Sequence, residues 1–281
     1  MTRSWLLVHA LLVLSLAATA RATEPPAPAD TSAAAPSRPH LDLATARLVD
    51  LSHAYGAETL YWPAQPPQTF ALEVLHHGPT PGGFFYAANK FCAPEHGGTH
   101  LDAPLHFGEG QWSAAEVPVD RLVAPALVID VRAPAAADRD YRLTAADVAA
   151  WEARHGRIAG GAIVLLRTGW SERWPDRARY FGNPSTSDAS DLHFPSFGAA
   201  AVKVLLERGV AALGVDTASI DHGPSHDFPV HRLVAAANVP AFENLDHLDA
   251  LPETGAWLVA LPMKIGDGTG GPLRAVALLP P

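Results

Sequence analysis

The chain has 281 residues, with 20 lysines and arginines against 29 aspartates and glutamates, and its formal net charge is −9. This acidic balance argues against nucleic acid and anionic membrane surfaces as partners. The chain has one cysteine, Cys92, which excludes an intramolecular disulfide and is predicted to be a small buried residue in a strand.

The N-terminus has the pattern of a secretory signal. Arg3 precedes an apolar stretch from Trp5 to Leu16, and Ala20-Arg21-Ala22 has the small-x-small composition of a cleavage site. The apolar stretch is too short to span a membrane. We therefore expect residues 1–22 to be removed before Thr23, and the mature protein to be periplasmic or secreted with no stable membrane span.

Two further regions follow the predicted signal peptide. Residues 23–39 are rich in proline, alanine and serine, which predicts a disordered linker that buries little surface. Residues 40–281 are numerous enough for one large domain with a sizeable core. We predict that they form a single domain.

Strands and helices are predicted to alternate along part of this domain, which indicates an α/β or mixed architecture. Three apolar runs are typical of strands that are covered on both faces, and they span residues 124–131, 162–167 and 211–215. A helix is predicted from Thr144, an N-cap with Asp147 three residues later, and another from Ser196 to Arg208. Residues 171–192 are predicted to be a polar surface excursion that could fold over a site.

The most informative run is residues 95–107, where His96, His100, Asp102 and His106 all share one sequence parity. In an extended segment, side chains alternate between faces, so all four can point the same way. Two glycines and a proline within the run argue against a helix. Neutral imidazole and carboxylate are ligands of first-row metal ions, so this run predicts one wall of a metal site.

Further ligands should come from the second half of the chain. Asp216 directly follows a predicted buried strand, which is where α/β sites are usually built. Three histidines lie between Asp216 and Glu243. Spacing alone does not choose among His222, His226 and His231.

The pattern His96-x-Gly-Thr-His100-x-Asp102-x-Pro104-x-His106 resembles the signature of the cyclase family of metal-dependent hydrolases. This family includes bacterial kynurenine formamidases and isatin hydrolases. The resemblance extends from about Leu48 to the C-terminus, and it implies that residues 40–281 form a cyclase-like metal-dependent hydrolase domain. It implies a single α/β domain with a mixed, barrel-like β-sheet core flanked by helices, of the swivelling β/β/α kind, and a homodimer or homotetramer.

The resemblance also implies roles for particular residues. The metal ligands it implies are His96, His100, Asp102, His231 and Glu243. His106 is implied to be the general acid/base, and the two carboxylates would bridge the ions if two are bound. Mixed histidine and carboxylate ligands suit zinc, manganese or iron, and we expect one or two divalent ions per subunit, zinc or manganese.

The implied reaction is hydrolysis of a C–N amide bond in a small molecule, with metal-activated water and proton transfer by a histidine. An arylformamide such as N-formyl-L-kynurenine is the expected substrate. The alternatives are isatin or another cyclic amide or lactone, and, in another class, a non-catalytic periplasmic metal- or ligand-binding protein. Trp62 and Phe85 are expected to line the substrate pocket.

Overall fold

The computed structural model describes residues 41–281. The predicted signal peptide (1–22), the predicted linker (23–39) and the first residue of the predicted domain lie outside the described residues, so these boundaries stay predictions. None of the helices within 41–281 has both the length and the apolar character needed to cross a bilayer.

The described residues form strands and helices that alternate in the middle of the chain. The strands are β1 (Arg47–Asp50), β2 (Ala71–Pro79), β3 (Phe85–Cys92), β4 (His100–Asp102), β5 (Val123–Asp130), β6 (Arg142–Leu143), β7 (Ile163–Arg167), β8 (Ser196–Phe197), β9 (Ala212–Val215), β10 (Ala241–Glu243), β11 (Ala256–Pro262) and β12 (Gly270–Leu279). The helices are α1 (Val119–Leu122), α2 (Arg132–Ala137), α3 (Ala145–His155), α4 (Arg177–Phe181), α5 (Ala199–Glu207) and α6 (Pro229–Ala236).

The main sheet closes on itself. Its strands follow the order β12-β11-β5-β7-β9-β10-β4, and β4 pairs again with β12, so seven strands form a ring to which β1 is added outside β12. The neighbours β5, β7, β9 and β10 are parallel, whereas β4, β11 and β12 pair antiparallel with their neighbours. The predicted mixed, barrel-like sheet is confirmed.

The parallel strands are apolar throughout because both of their faces are covered. All five residues of β7 are buried, and they alternate between two sides. Ile163 and Leu165 belong to the cluster inside the barrel. Val164 and Leu166 pack outside it with residues of α3, α5 and α6. The helices therefore form an outer layer over this half of the barrel, as the apolar runs predict.

Two helix starts differ in how well the sequence predicts them. Thr144 accepts a hydrogen bond from the Asp147 amide, and the Asp147 carboxylate accepts one from the Thr144 amide, so the predicted capping box is confirmed. The helix predicted from Ser196 begins three residues later, at Ala199. The reason is that Ser196 and Phe197 are taken up by the short parallel pairing of β8 with β6.

Strands β2 and β3 form a separate hairpin, and within the described chain neither pairs with any other strand. Nearly every residue of the hairpin is exposed. The prediction that Cys92 is buried is therefore wrong, since no second layer covers this strand. Phe85, which was predicted to line the substrate pocket, is 64% exposed on this hairpin and lies outside the cavity described below.

The segment predicted as a surface excursion is partly internal. It contains α4, where Tyr180 and Phe181 are almost fully buried. Their side chains pack with Trp170, Leu192 and Phe194 in a third apolar cluster. Apolar packing therefore fixes this segment against the barrel.

Candidate metal centre

The register of the closed sheet brings distant residues together. His100 on β4 is directly opposite Glu243 on β10, although they are far apart in sequence. Side chains of directly opposite residues share one face of a sheet, as do residues two apart on one strand. Accordingly, Nε2 of His100 lies 3.6 Å from Oε2 of Glu243 and 3.2 Å from Oδ1 of Asp102.

Two more histidines reach the same carboxylates from outside these strands. His96 precedes β4, and its Nδ1 lies 2.6 Å from Oδ1 of Asp102. His231 lies on α6, and its Nε2 is 3.1 Å from Oδ2 of Asp102 and 3.3 Å from Oε1 of Glu243. The structure therefore brings together all five residues that the sequence predicts as metal ligands.

The extended segment predicted across 96–106 is confirmed only in its centre, over β4. His96 returns toward the strand through a tight turn at Gly97 and Gly98, which have φ of +150° and +56°. A Cβ atom on Gly97 would lie 2.1 Å from the Tyr61 ring, so the turn passes where only glycine fits. His106 ends a short 3-10 turn that follows β4.

The buried donors fit a divalent metal ion. Asp102 and Glu243 are 5% and 4% exposed, and burial together with the nearby Asp102 charge raises the pKa of Glu243. Nε2 of His100 is buried and has no hydrogen-bond partner in the described structure. Two carboxylates and an orphaned imidazole nitrogen around one point are costly unless a cation joins them. The donor types are those of zinc or manganese sites.

Two overlapping groups of three donor atoms meet this requirement in residues 41–281. One is His100, Asp102 and Glu243, and the other is His96, Asp102 and His106; within each, the donor atoms lie within 4.8 Å of one another. Asp102 belongs to both groups. The first group accommodates one ion. A second ion that shares Asp102 would need His106 as a ligand, in place of its predicted role as acid/base.

Comparison with known proteins agrees with this geometry. A family model described as putative cyclase matches residues 49–222, more than half of the chain. The chain belongs to the cyclase family. The family predicted from the histidine motif is thus confirmed.

The relatives of this cyclase-family chain are hydrolases. An isatin hydrolase of Roseibium aggregatum is 38% identical over 206 residues, covering 70% of this chain and 77% of the relative. A kynurenine formamidase of Sphingopyxis alaskensis is 30% identical over 230 residues, covering 82% of this chain and 97% of the relative. The predicted class, a hydrolase acting on amide C–N bonds, is confirmed.

Solved structures show the same relationship. An isatin hydrolase bound to the product analogue thioisatinate superposes with a TM-score of 0.77 at 34% identity, over 85% of this chain and 94% of that chain. Isatin hydrolase A from Ralstonia solanacearum gives a TM-score of 0.76 at 37% identity, over 84% and 93% of the two chains. The closed barrel with its flanking helices is therefore the cyclase-family fold.

The second nitrogen of each histidine ligand candidate is held in place by an acceptor. Nδ1 of His100 donates to the Gly98 carbonyl at 3.0 Å, and Nδ1 of His231 donates to Asp221 at 2.7 Å. The Thr269 hydroxyl lies 2.8 Å from Nε2 of His96. Such supports fix the tautomer and aim the remaining lone pair at the metal.

Sequence reasoning missed these supporting residues. Asp221 is 2% exposed, and its carboxylate also accepts the amide hydrogens of Val230 and His231 at the start of α6. Thr269 donates to Glu95, which leaves its oxygen free to accept from His96. Neither residue stands at a distinctive spacing from the motif. The one available signal is chemical, since metal-bound histidines usually donate to a carboxylate, a carbonyl or another acceptor.

His106 occupies a different position from the other histidines. Its ring stacks on that of His96 with 3.8 Å between the centroids. Burial, together with the charges of the neighbouring histidines, lowers its pKa to about 4. A neutral imidazole beside the carboxylates can accept a proton, which is the role predicted for it.

A cavity of about 310 Å³ opens onto this cluster. The predicted residue Trp62 lines it, and its ring centroid lies 6.4 Å from that of Phe181 and 6.3 Å from that of Phe228. Phe107 and Leu60 add to the apolar wall, so Phe107, Phe181 and Phe228 are pocket residues that the sequence did not reveal. Gln68 and Ser219 are polar positions on the wall.

We expect Asp221→Asn to weaken metal binding by about 10- to 100-fold, the usual effect of losing a carboxylate behind a metal-bound histidine. Asp227→Asn is the matched control, because Asp227 is exposed in the same loop. Competition with a chromophoric chelator measures both affinities. Equal affinities for wild type and Asp221→Asn would show that Asp221 does not support a ligand.

Proposed function

We propose that this cyclase-family hydrolase opens the lactam ring of isatin or a closely similar aromatic cyclic amide. The observation that carries the proposal is the wall of the cavity beside the metal ligand candidates. Aromatic rings form much of that wall, and the described residues lining it include no lysine or arginine. A planar, neutral, bicyclic substrate suits such a site.

The absence of a cationic side chain among the described residues of the cavity wall distinguishes between the two substrates expected from the sequence. N-formyl-L-kynurenine carries an α-carboxylate, and burying a carboxylate is costly without a cationic or hydrogen-bonding partner. Isatin has no such charge, and its fused ring can pack against Trp62 and Phe228 in offset or edge-to-face contact.

The relatives favour the same choice, because identity to the Roseibium aggregatum isatin hydrolase is 38% and to the Sphingopyxis alaskensis formamidase 30%. The arylformamide predicted from the sequence is the second candidate. The observation in its favour is that the formamidase match covers 97% of that relative.

The chain's own residues account for binding and proton transfer. The residues that would hold the metal are His96, His100, Asp102, His231 and Glu243. When bound, a divalent ion supplies a Lewis acid and lowers the pKa of water to near neutrality. We propose zinc or manganese, because mixed imidazole and carboxylate donors suit both.

Hydrolysis adds water to the lactam carbonyl carbon, breaks the C–N bond and leaves a carboxylate and an amine. The free ring nitrogen of His106 takes the proton of the attacking water and returns it to the departing nitrogen. Trp62, Phe181 and Phe228 pack against the substrate ring and exclude bulk water. The Asp221 carboxylate accepts the hydrogen on Nδ1 of His231. The unprotonated Nε2 of His231 therefore faces Asp102 and Glu243.

His106→Gln tests the proton-transfer role. We expect kcat to fall by about 10²- to 10⁴-fold, the usual contribution of general acid/base catalysis, while the bound metal per chain stays unchanged. His226→Gln is the control, because His226 is exposed and lies outside the cavity lining. If metal content fell together with activity, His106 would be a ligand and the assigned role would be wrong.

The substrate proposal is tested by comparing isatin with N-formyl-L-kynurenine on the metal-loaded protein. We expect kcat/KM to be at least about tenfold higher for isatin, equivalent to roughly 1.4 kcal/mol. Chelation should abolish turnover, and zinc or manganese should restore it. A preference for the formamide would select the second candidate. Metal binding without turnover of either compound would favour a non-catalytic binding protein.

We further propose that the protein is a homodimer or homotetramer, joined through the β2/β3 hairpin. Seven large apolar side chains of the hairpin are at least 49% exposed: Leu72, Val74, Leu75, Phe84, Phe85, Tyr86 and Phe91. At ~200 Å² for a fully exposed large side chain they present about 800 Å², similar to the ~800 Å² that each partner buries in a standard interface.

A second copy of the chain is the partner that suits this hairpin. Glu73 and Lys90 pair at 2.7 Å, so the hairpin has no net charge of its own and two copies would not repel each other. A lone two-stranded hairpin is also marginally stable in water. Sedimentation should show that the wild type is oligomeric and that Phe85→Ser is smaller, whereas Leu43→Ser, exposed outside the hairpin, is unchanged. A monomeric wild type would overturn this proposal.

We also propose that the protein is exported, on the strength of the signal pattern in residues 1–22. Mass spectrometry of the protein recovered from a periplasmic fraction should give Thr23 as the first residue. An intact Met1 in the cytoplasmic fraction would contradict export.

A further inference from the structure

The residue after Glu243 connects two parts of the metal centre. Asn244 is 3% exposed and has φ of +54°, a left-handed conformation that asparagine tolerates better than most residues. Its Nδ2 donates to the Gly98 carbonyl at 2.7 Å. The same carbonyl accepts the hydrogen bond from Nδ1 of His100. The Asn244 amide therefore holds the acceptor that sets the orientation of the His100 ring.

The other end of the Asn244 amide is held from α4. The Tyr180 hydroxyl donates its one hydrogen to Oδ1 of Asn244 at 2.9 Å, and the Asp216 carbonyl oxygen is a second acceptor at 3.2 Å. Tyr180 has no exposed surface, and burial raises its pKa well above the ordinary value for tyrosine, so its hydroxyl stays protonated. The Tyr180 hydroxyl donates to Oδ1 and the Gly98 carbonyl accepts from Nδ2, so a flipped Asn244 amide would lose both hydrogen bonds.

We propose that Tyr180 and Asn244 are positioning residues that hold the His100 imidazole with Nε2 aimed at Asp102 and Glu243. The hydrogen bonds run from the Tyr180 hydroxyl through the Asn244 amide and the Gly98 carbonyl to Nδ1 of His100. This inference depends on the metal centre of the proposed function and not on its substrate.

Helix α4 contributes both to the support of a metal ligand and to the wall of the cavity. Tyr180 supports a metal ligand from behind, and the next residue, Phe181, forms part of the cavity wall against Trp62. Tyr180 is not among the residues that line the cavity, so its hydroxyl acts on the metal ligand and not on the substrate. A shift of α4 would therefore change both the shape of the cavity and the orientation of His100.

The test measures metal affinity without substrate, by chelator competition with zinc and with manganese. Tyr180→Phe should raise the metal Kd about three- to tenfold, the effect of one lost buried hydrogen bond. Asn244→Gly, which keeps the left-handed backbone, should raise it about 10- to 100-fold. In the zinc-loaded protein, the Nδ1 hydrogen of His100 should exchange faster in both variants when followed by nitrogen-15 NMR.

Two matched controls separate positioning from general stability. Tyr61→Phe removes a buried hydroxyl that has no hydrogen-bond partner in the described structure. Asn238→Gly changes another left-handed asparagine, whose Oδ1 accepts from the Trp112 amide away from the metal ligands. Both controls should leave the metal Kd within about twofold of wild type, whatever their effect on melting temperature.

The outcomes distinguish this inference from the proposed function. If wild type binds metal, and Tyr180→Phe and Asn244→Gly melt at lower temperature but keep the wild-type Kd, the two residues are structural and the inference is wrong. If wild type binds neither metal, the metal centre itself is wrong and the proposed function falls with it.

Discussion

The structure depends on two carboxylates, those of Asp102 and Glu243, held together in a buried site. Two such charges at close range repel each other, and burial removes the water that would screen them. Three histidines surround them with ring nitrogens whose other sides are fixed by Gly98, Asp221 and Thr269. A divalent cation would resolve this arrangement, because the carboxylates and the free imidazole nitrogens could all donate lone pairs to it.

The closed barrel is what makes this arrangement possible. Since β4 pairs on one side with β10 and on the other with β12, three segments from distant parts of the chain meet around His100. Helix α6 brings His231 to the same point, and α4 supplies Phe181 to the cavity. The layer of helices covers the parallel strands on the outer side of the barrel. Leu101 and Phe242 face inward, and the alternating His100, Asp102 and Glu243 face outward.

Local patterns predicted the features that depend on local chemistry. The apolar run of β7 predicted a buried strand, and the motif around His100 predicted one wall of a metal site. The closed barrel and the distant ligands His231 and Glu243 were predicted only through the resemblance to the cyclase family. The exposure of Phe85 and Cys92 depends on whether another layer covers the β2/β3 hairpin. The pattern of apolar residues along a strand does not contain that information. The support of His231 by Asp221 depends on a loop returning to a helix start, and the sequence shows neither the loop path nor the hydrogen bond.

The most direct test of the account is a crystal structure of the metal-loaded protein, with anomalous diffraction recorded at the absorption edge of the added metal. The account predicts an anomalous peak between His100, Asp102 and Glu243, and a second peak beside His96 if two ions share Asp102. A hydrolytically active protein with no anomalous peak among these residues would contradict it.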